Sequence, residues 1–237
     1  MQVAGLYDIH GNLPALEAVL ADVEREGIET IVAGGDVLWG PFQSECVRLL
    51  RSHGSLFVSG NCEREVIGAV DVSSRWCLES LSSSEREFVS TWPASVELDV
   101  EGVGRVLFCH ATPRSDEEIL TRLTPDADVA AALEGSDADV VVCGHTHVQQ
   151  ERRVPGAPAL VNAGSVGLPY QGEAGAFWAI LGPVVLFRRT EYDIESALDY
   201  LRASGFPSAG EIFEDSLRGA ATAESATAYF ESKRHGA

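Results

Sequence analysis

Lysine is almost missing from this chain. Lys233 is the only one, and 17 basic residues face 36 acidic ones for a net charge of −19. That balance opposes nonspecific binding to nucleic acid or to anionic membranes, which needs clustered cations to neutralise phosphates. It also bears on phosphate chemistry, because any phosphorylated substrate meets the same field and needs a strong local positive centre. A disulfide framework is excluded as well. The five cysteines, Cys46, Cys62, Cys77, Cys109 and Cys143, are odd in number and contain no C-x-x-C pair. Reduced thiols suit a cytoplasmic location. No apolar run is long enough for a bilayer; the longest, residues 176–187, is broken by Gly182-Pro183 and reads as two strands and a turn. No signal peptide is visible, since the chain opens at once on a strand-like run ending in Asp8. Linkers, repeats and low-complexity tracts are absent too.

What remains alternates between two periods. Residues 3–7 form a short apolar run, read as a buried strand. Asn12 is placed to cap a helix with Pro14 in its first turn. Leu16, Val19, Leu20 and Val23 then recur at helical spacing up to Gly27. Residues 30–33 are β-rich and lead into Gly34-Gly35-Asp36, completing a β-α-β unit and therefore a parallel strand pair. The logic repeats with a helix at 46–51 and a strand at 56–58 before Ser59-Gly60-Asn61. Residues 64–92 read as short surface helices. Val96, Leu98 and Val100 alternate as in a half-exposed strand, and residues 105–109 run into His110. Thr124-Pro125 opens a helix that closes near Gly135. Residues 140–143 are a strand leading into Gly144-His145-Thr146-His147, and 159–162 are another leading into Ala163-Gly164-Ser165. Residues 193–202 and about 221–230 read as amphipathic helix. The simplest organisation is one α/β domain over 1–237, with about 191–237 a helical C-terminal extension.

The chemistry lies in where the polar residues fall. Asp8, Asp36, Asn61, His110 and His145 each sit at or near the end of an expected strand, where ligands collect in open α/β sheets. Taken singly they are ordinary. Asp8 reads as a cap, Asp36 and Asn61 as turn residues, and His110 as a histidine at the edge of a core. Asp8 and His10, two residues apart, share a direction if the backbone stays extended. The Gly-His-Thr-His run is stronger, since paired imidazoles suit zinc, manganese, iron or nickel. Together, Asp8, His10, Asp36, Asn61, His110, His145 and His147 are too many ligands for one metal. Two metals sharing a carboxylate account for all of them, about 3.5–4 Å apart, and such a pair generates a nucleophile from water at neutral pH. The two cations also supply the positive centre that the acidic chain lacks.

The ordered set D-I-H at Asp8, G-G-D at Asp36, G-N-C at Asn61, C-H-A at His110 and G-H-T-H at His145 resembles the calcineurin-like metallophosphoesterase superfamily. The resemblance covers residues 3–167, and the opening D-I-H-G-N-L-P-A-L-E-A-V-L is similar to small bacterial phosphodiesterases of that superfamily. It implies a four-layer α/β/β/α sandwich of two mixed sheets with metals at the rim between them. It also implies Asp8, His10 and His147 at one metal, Asn61, His110 and His145 at the other, and Asp36 as bridge. Asp36, Asn61 and His110 are taken as the catalytic residues. The cofactors implied are two divalent transition-metal ions, manganese first, with iron, zinc, nickel and cobalt as alternatives.

One position departs from the common pattern. Many members carry a histidine after the asparagine to assist the leaving group; this chain has Cys62, then Glu63. Beside two cations the Cys62 thiol is expected to fall toward thiolate, a poor proton donor. The expectation is therefore a phosphodiesterase acting on a small phosphoester, with a phosphomonoesterase or a dinucleoside-polyphosphate hydrolase as alternatives. A metal-binding interaction scaffold is the reading of another class, since one relative in eukaryotic membrane traffic resembles the fold yet serves in protein interaction. No nucleic-acid or membrane partner is expected, and the helical tail leaves a homo-oligomer open. The Gly164-Ser165-Val166-Gly167 segment resembles the family's closing loop. Arg64, Arg114 and Tyr170 follow motif segments closely enough to be candidates for touching a phosphate, and Trp39 is a candidate for the pocket wall.

Overall fold

The structure, a computed structural model, describes residues 1–207 and 209–234. Residues 208 and 235–237 of the expected extension lie outside the described residues. The chain opens with β1 (Val3–Leu6), α1 (Leu13–Arg25), β2 (Thr30–Ala33), α2 (Gln43–Ser52) and β3 (Leu56–Phe57). The three strands are parallel, as the β-α-β reading requires. Helix α1 forms where expected because Asn12 Oδ1 accepts the Ala15 N–H at 3.3 Å and Pro14 sits in the first turn. Ala15, Leu16, Val19, Leu20 and Val23 then bury one stripe.

Three short helices follow, α3 (Asn61–Gly68), α4 (Val72–Ser80) and α5 (Ser83–Val89). The second half holds β4 (Ser95–Val100), β5 (Gly104–Cys109), α6 (Asp126–Ala132), β6 (Val140–Cys143), β7 (Gln150–Arg152), β8 (Ala159–Asn162), β9 (Ala176–Leu181) and β10 (Leu186–Thr190). Helices α7 (Ile194–Ala203), α8 (Ala209–Leu217) and α9 (Ala223–Arg234) follow. One mixed sheet runs β10-β9-β1-β2-β3 and the other β4-β5-β6-β8-β7.

The layers follow from strand alternation. In β1, Val3 faces the second sheet, and Ala4 and Leu6 face the helices. In β6, Val140 and Val142 face inward, while Val141 and Cys143 meet Val129, Ala132 and Leu133 of the α6 segment. An inter-sheet core of Val3, Tyr7, Val32, Val106, Phe108, Val142 and Val161 holds the two sheets together. The result is the α/β/β/α sandwich expected from the resemblance. Because strand faces alternate, burial on both sides makes β1 and β6 apolar throughout.

Two elements escape the sequence reading. Strand β7 has the sequence Gln-Glu-Arg and pairs with β8 by backbone alone, so no apolar pattern marks it. Helix α8 follows Gly205 and Pro207 and carries Gly210, which hides the stripe of Ala209, Phe213 and Leu217. The helix expected to begin at Thr124-Pro125 is Asp126–Ala132, ending before Gly135. The tail is less of an appendage than expected. Leu198, Leu201, Phe206, Phe213 and Leu217 belong to the same core as α1 and β1. Among the described residues no helix is long and apolar enough to cross a membrane.

Candidate metal centre

Strand-end loops from both sheets bring the candidate ligands to one point. Asp8, His10 and Asp36 come from the first sheet's loops after β1 and β2. His110, His145 and His147 come from the second sheet's loops after β5 and β6. Asn61 is the first residue of α3, four positions past the end of β3, and not a strand-end turn as its sequence context suggested. His10 Nε2 and His147 Nε2 stand 3.3 Å apart, and Asp8 Oδ1 is 3.3 Å from His147 Nε2. His110 Nε2 lies 3.4 Å from Asp36 Oδ2, 3.9 Å from Asp8 Oδ1 and 3.1 Å from Asn61 Oδ1. Asp8, His10 and His147 form one donor group within 4.8 Å, and Asp8, Asp36 and His110 form another. His145 joins neither group. Its ring meets the His110 ring edge-on at 5.3 Å, and its backbone N–H donates to Asp8 Oδ2 at 2.9 Å.

The backbone that achieves this is not extended at Asp8 and His10, contrary to the reading of the D-x-H triplet. Both are left-handed, with φ of 52° and 48°. Among the described residues seven non-glycine positions have φ in this region, and Asp8, His10, Asp36, His145 and His147 are five of them. Each costs on the order of 1 kcal/mol, and such strain gathers where a fold must aim a side chain. In an extended segment neighbouring side chains share a face only at alternate positions; a left-handed residue breaks that rule and turns the chain within one step.

The donor set fits a cation on two counts. Asp8 Oδ1 and His10 Nδ1 are buried with no hydrogen-bond partner, although buried polar atoms are almost always paired. Two imidazole Nε2 atoms facing each other at 3.3 Å share at most one proton between them and otherwise direct two lone pairs at one spot. The pocket is also electrostatically divided. Burial, then His147, hold the His10 imidazole down at about 4. Burial, then His110, hold His145 at about 4. Burial would lower His110, but Asp36 beside it raises it to about 10. His147 is raised against its burial by Asp8. Burial would raise Asp36 and Asp8, yet His110 and His147 respectively keep both carboxyls below their usual range.

Glu63, which has no role in the sequence reading, ties two motif loops together. Its carboxylate accepts backbone N–H groups from Asp36 at 2.8 Å, Leu38 at 2.9 Å and Gly60 at 2.7 Å. Burial raises Glu63 to about 7 despite these donors. Its only sequence signal is the spacing from Gly60, the reach of a glutamate back to a helix N-terminus. The Cys62 N–H donates to Asp36 Oδ1 at 2.9 Å. Its thiol is pushed up by burial, then by Asp36. A Cβ at Gly60 would overlap Asp36 Oδ1, and one at Gly144 would overlap Asp8 Oδ2. Both glycines are therefore required by the carboxylates they flank. Ser165 does what a closing loop should, donating to the Asp8 carbonyl at 2.8 Å and accepting from Leu168 N–H at 2.8 Å.

The remaining candidates divide. Trp39 packs edge-on against His10 with centroids 5.9 Å apart, and Tyr170 stacks on His147 at 4.8 Å and 15°. Arg64 is taken up by Asp116 and Glu117, and Arg114 by Glu118. Both arginines nevertheless line a cleft of about 410 Å³ that begins at His110 and includes Ser59, Trp92 and Thr112.

The model of the calcineurin-like phosphoesterase superfamily domain matches residues 1–181. An uncharacterized protein of Methanocaldococcus jannaschii is 29% identical over 232 residues, with 86% of this chain and 93% of that protein covered. A metallophosphoesterase from Sphaerobacter thermophilus is 26% identical with a TM-score of 0.74, covering 93% of this chain and 98% of that one. A hypothetical protein from Pyrococcus horikoshii OT3 has a TM-score of 0.78 at 20% identity, over 92% of this chain and 98% of the other, a likeness of fold.

Proposed function

We propose, since the chain belongs to the calcineurin-like phosphoesterase superfamily, that it is a two-metal phosphodiesterase. One observation carries the reading: a buried, unpartnered Asp8 Oδ1 stands among the imidazoles of His10, His110 and His147 and the Asp36 carboxylate. Asp8, His10 and His147 would hold one divalent ion and Asn61, His110 and His145 the other, with Asp36 shared. Oxygen and imidazole donors suit manganese, iron, zinc, cobalt or nickel, and manganese is the first to test. When bound, such a pair lowers the pKa of water and neutralises charge on phosphoryl oxygens. The reaction is in-line hydrolysis, in which a water-derived oxygen adds to phosphorus as the bond to the leaving oxygen breaks on the opposite side.

The chain's own groups set the stage for that step. Asp8, His10, Asp36, His110 and His147 are buried, whereas Asn61 and His145 are part-exposed. The phosphate therefore arrives over Asn61 and His145. The cleft beside His110 offers room for an ester arm, and Arg64 and Arg114 are among the residues that line it. Cys62 stands where many relatives have a proton-donating histidine, which favours esters whose leaving group departs with little help. A phosphodiester fits this better than an alkyl monoester.

Asp36→Ala is expected to abolish turnover of bis(4-nitrophenyl) phosphate while the protein stays folded. Wild-type activity is expected to need manganese and to disappear with chelator. Normal turnover by folded Asp36→Ala protein would refute the bridging role. Inertness of the wild type with every divalent metal would favour the scaffold reading.

A further inference from the structure

Helix α9 closes over a cavity of about 140 Å³ whose walls include Thr146, Gln150, Gln171, Thr227 and Phe230. The cavity adjoins the candidate centre, because Thr146 stands between His145 and His147 and the Phe230 ring lies 6.2 Å from that of His145. Two of the lining amides are incompletely used. Gln150 Nε2 donates to the Leu120 carbonyl at 3.0 Å, while Gln150 Oε1 and Gln171 Nε2 are buried without partners. The cavity wall thus has one spare acceptor, one spare donor and one aromatic face. Buried amide atoms seldom go unpaired unless water or a ligand completes them.

The helix that supplies Phe230 is strapped down by polar contacts. Glu231 accepts from Thr121 Oγ1 and Thr124 Oγ1, Arg122 pairs with Glu224, and Arg234 pairs with Asp128. These bonds fix Phe230 next to the histidine loop, although only Ala226 and Thr227 of the helix are buried.

We propose that this cavity is a substrate subsite for a flat heteroaromatic group with its own donor and acceptor, stacked on Phe230 and read by Gln150 and Gln171. The inference rests on the phosphoesterase reading and assigns one arm of the ester. An alkyl arm offers neither a π face for Phe230 nor edge atoms for the two amides.

The test compares two esters with the same leaving group, thymidine 5′-(4-nitrophenyl phosphate) and ethyl 4-nitrophenyl phosphate, on the full chain loaded in turn with manganese, zinc and cobalt. The wild type is expected to prefer the thymidine ester in kcat/KM. Phe230→Ala and Gln171→Leu should each cut that preference about tenfold, chiefly through KM, as loss of one stacking or edge contact does. Phe230→Trp should restore it, and thermal unfolding verifies that each variant is folded. Wild-type indifference between the two esters would mean that the cavity holds water alone and would overturn the inference. So would an equal fall on both esters in Phe230→Ala, which is the mark of a structural role. Turnover of neither ester would instead defeat the phosphoesterase reading, and the subsite with it.

Discussion

Asp36 is held by more partners than its sequence context suggests. Its backbone N–H goes to Glu63, its Oδ1 accepts from the Cys62 N–H, and its Oδ2 faces His110. Glu63 is therefore the residue whose change separates support from ligation. Glu63→Gln keeps the side-chain shape but loses the charge and one acceptor of the three N–H groups. Groups that orient metal ligands in this way typically matter 10–100-fold. Manganese affinity of Glu63→Gln is expected to fall by about that factor, read by titrating metal-free protein, while unfolding changes little; unchanged affinity would remove Glu63 from the site's architecture. A second prediction concerns Cys62. Cys62→His restores a proton donor and is expected to keep or raise monoester hydrolysis; a large loss with metals still bound would contradict the role assigned to this position. At this scale the candidate residues were legible, because aspartate, histidine and asparagine recur after short apolar runs. Glu63 was not, since one glutamate in a polar stretch carries no pattern, and neither was the left-handed backbone, which depends on contacts between loops distant in sequence.

Between α2 and α5 a single side chain does two jobs. Glu85 accepts from Ser82 N–H and Ser82 Oγ to close the capping box of α5, and from Ser44 Oγ and Arg48 Nη1 to tie α5 to α2. Burial opposes its charge, but the Ser44 and Ser82 bonds win and lower its pKa to about 2. Glu85→Ala is expected to cost about 1–2 kcal/mol, the range of a lost cap plus a side-chain tie. The sign with pH is fixed by linkage. A carboxylate whose folded pKa is lowered contributes stability above its unfolded pKa of about 4.3, and that contribution fades as pH falls toward 2. Urea unfolding at pH 7 and at pH 4 should show the gap between wild type and Glu85→Gln shrinking in acid; a constant gap would refute the assignment. The same element scale shows why some structure was readable and some was not. Helix α1 announces itself by Asn12, Pro14 and a clean stripe. Strand β7 pairs with β8 without any apolar alternation of its own, and α8 lies behind Gly205 and Pro207, so neither leaves a periodic trace.

For the whole molecule, the acidic excess and the buried centre are one problem. A chain of net charge −19 encloses Asp8, Asp36 and Glu63, and its own compensation comes from imidazoles that would otherwise be neutral near pH 7. His110 is raised to about 10 by Asp36 and Asp8, and His147 is raised by Asp8. Metal ligation needs both imidazoles neutral, so binding at pH 7 must release protons and must weaken as pH falls. Cations bound to the native state alone also stabilise it, by about 2.7 kcal/mol at one hundred times the dissociation constant. Manganese is therefore expected to raise the unfolding temperature, by less at pH 6 than at pH 8, and chelator should reverse the gain. Calorimetric titration in two buffers of different ionisation enthalpy should detect about one to two protons released at pH 7, one for each imidazole that ligation must keep neutral. Asp36→Ala should lose both the thermal gain and the proton release. If manganese bound with no proton release and no pH dependence, the two raised histidines would not be ligands, and the centre would have to be built from the oxygen donors and the already neutral imidazoles of His10 and His145.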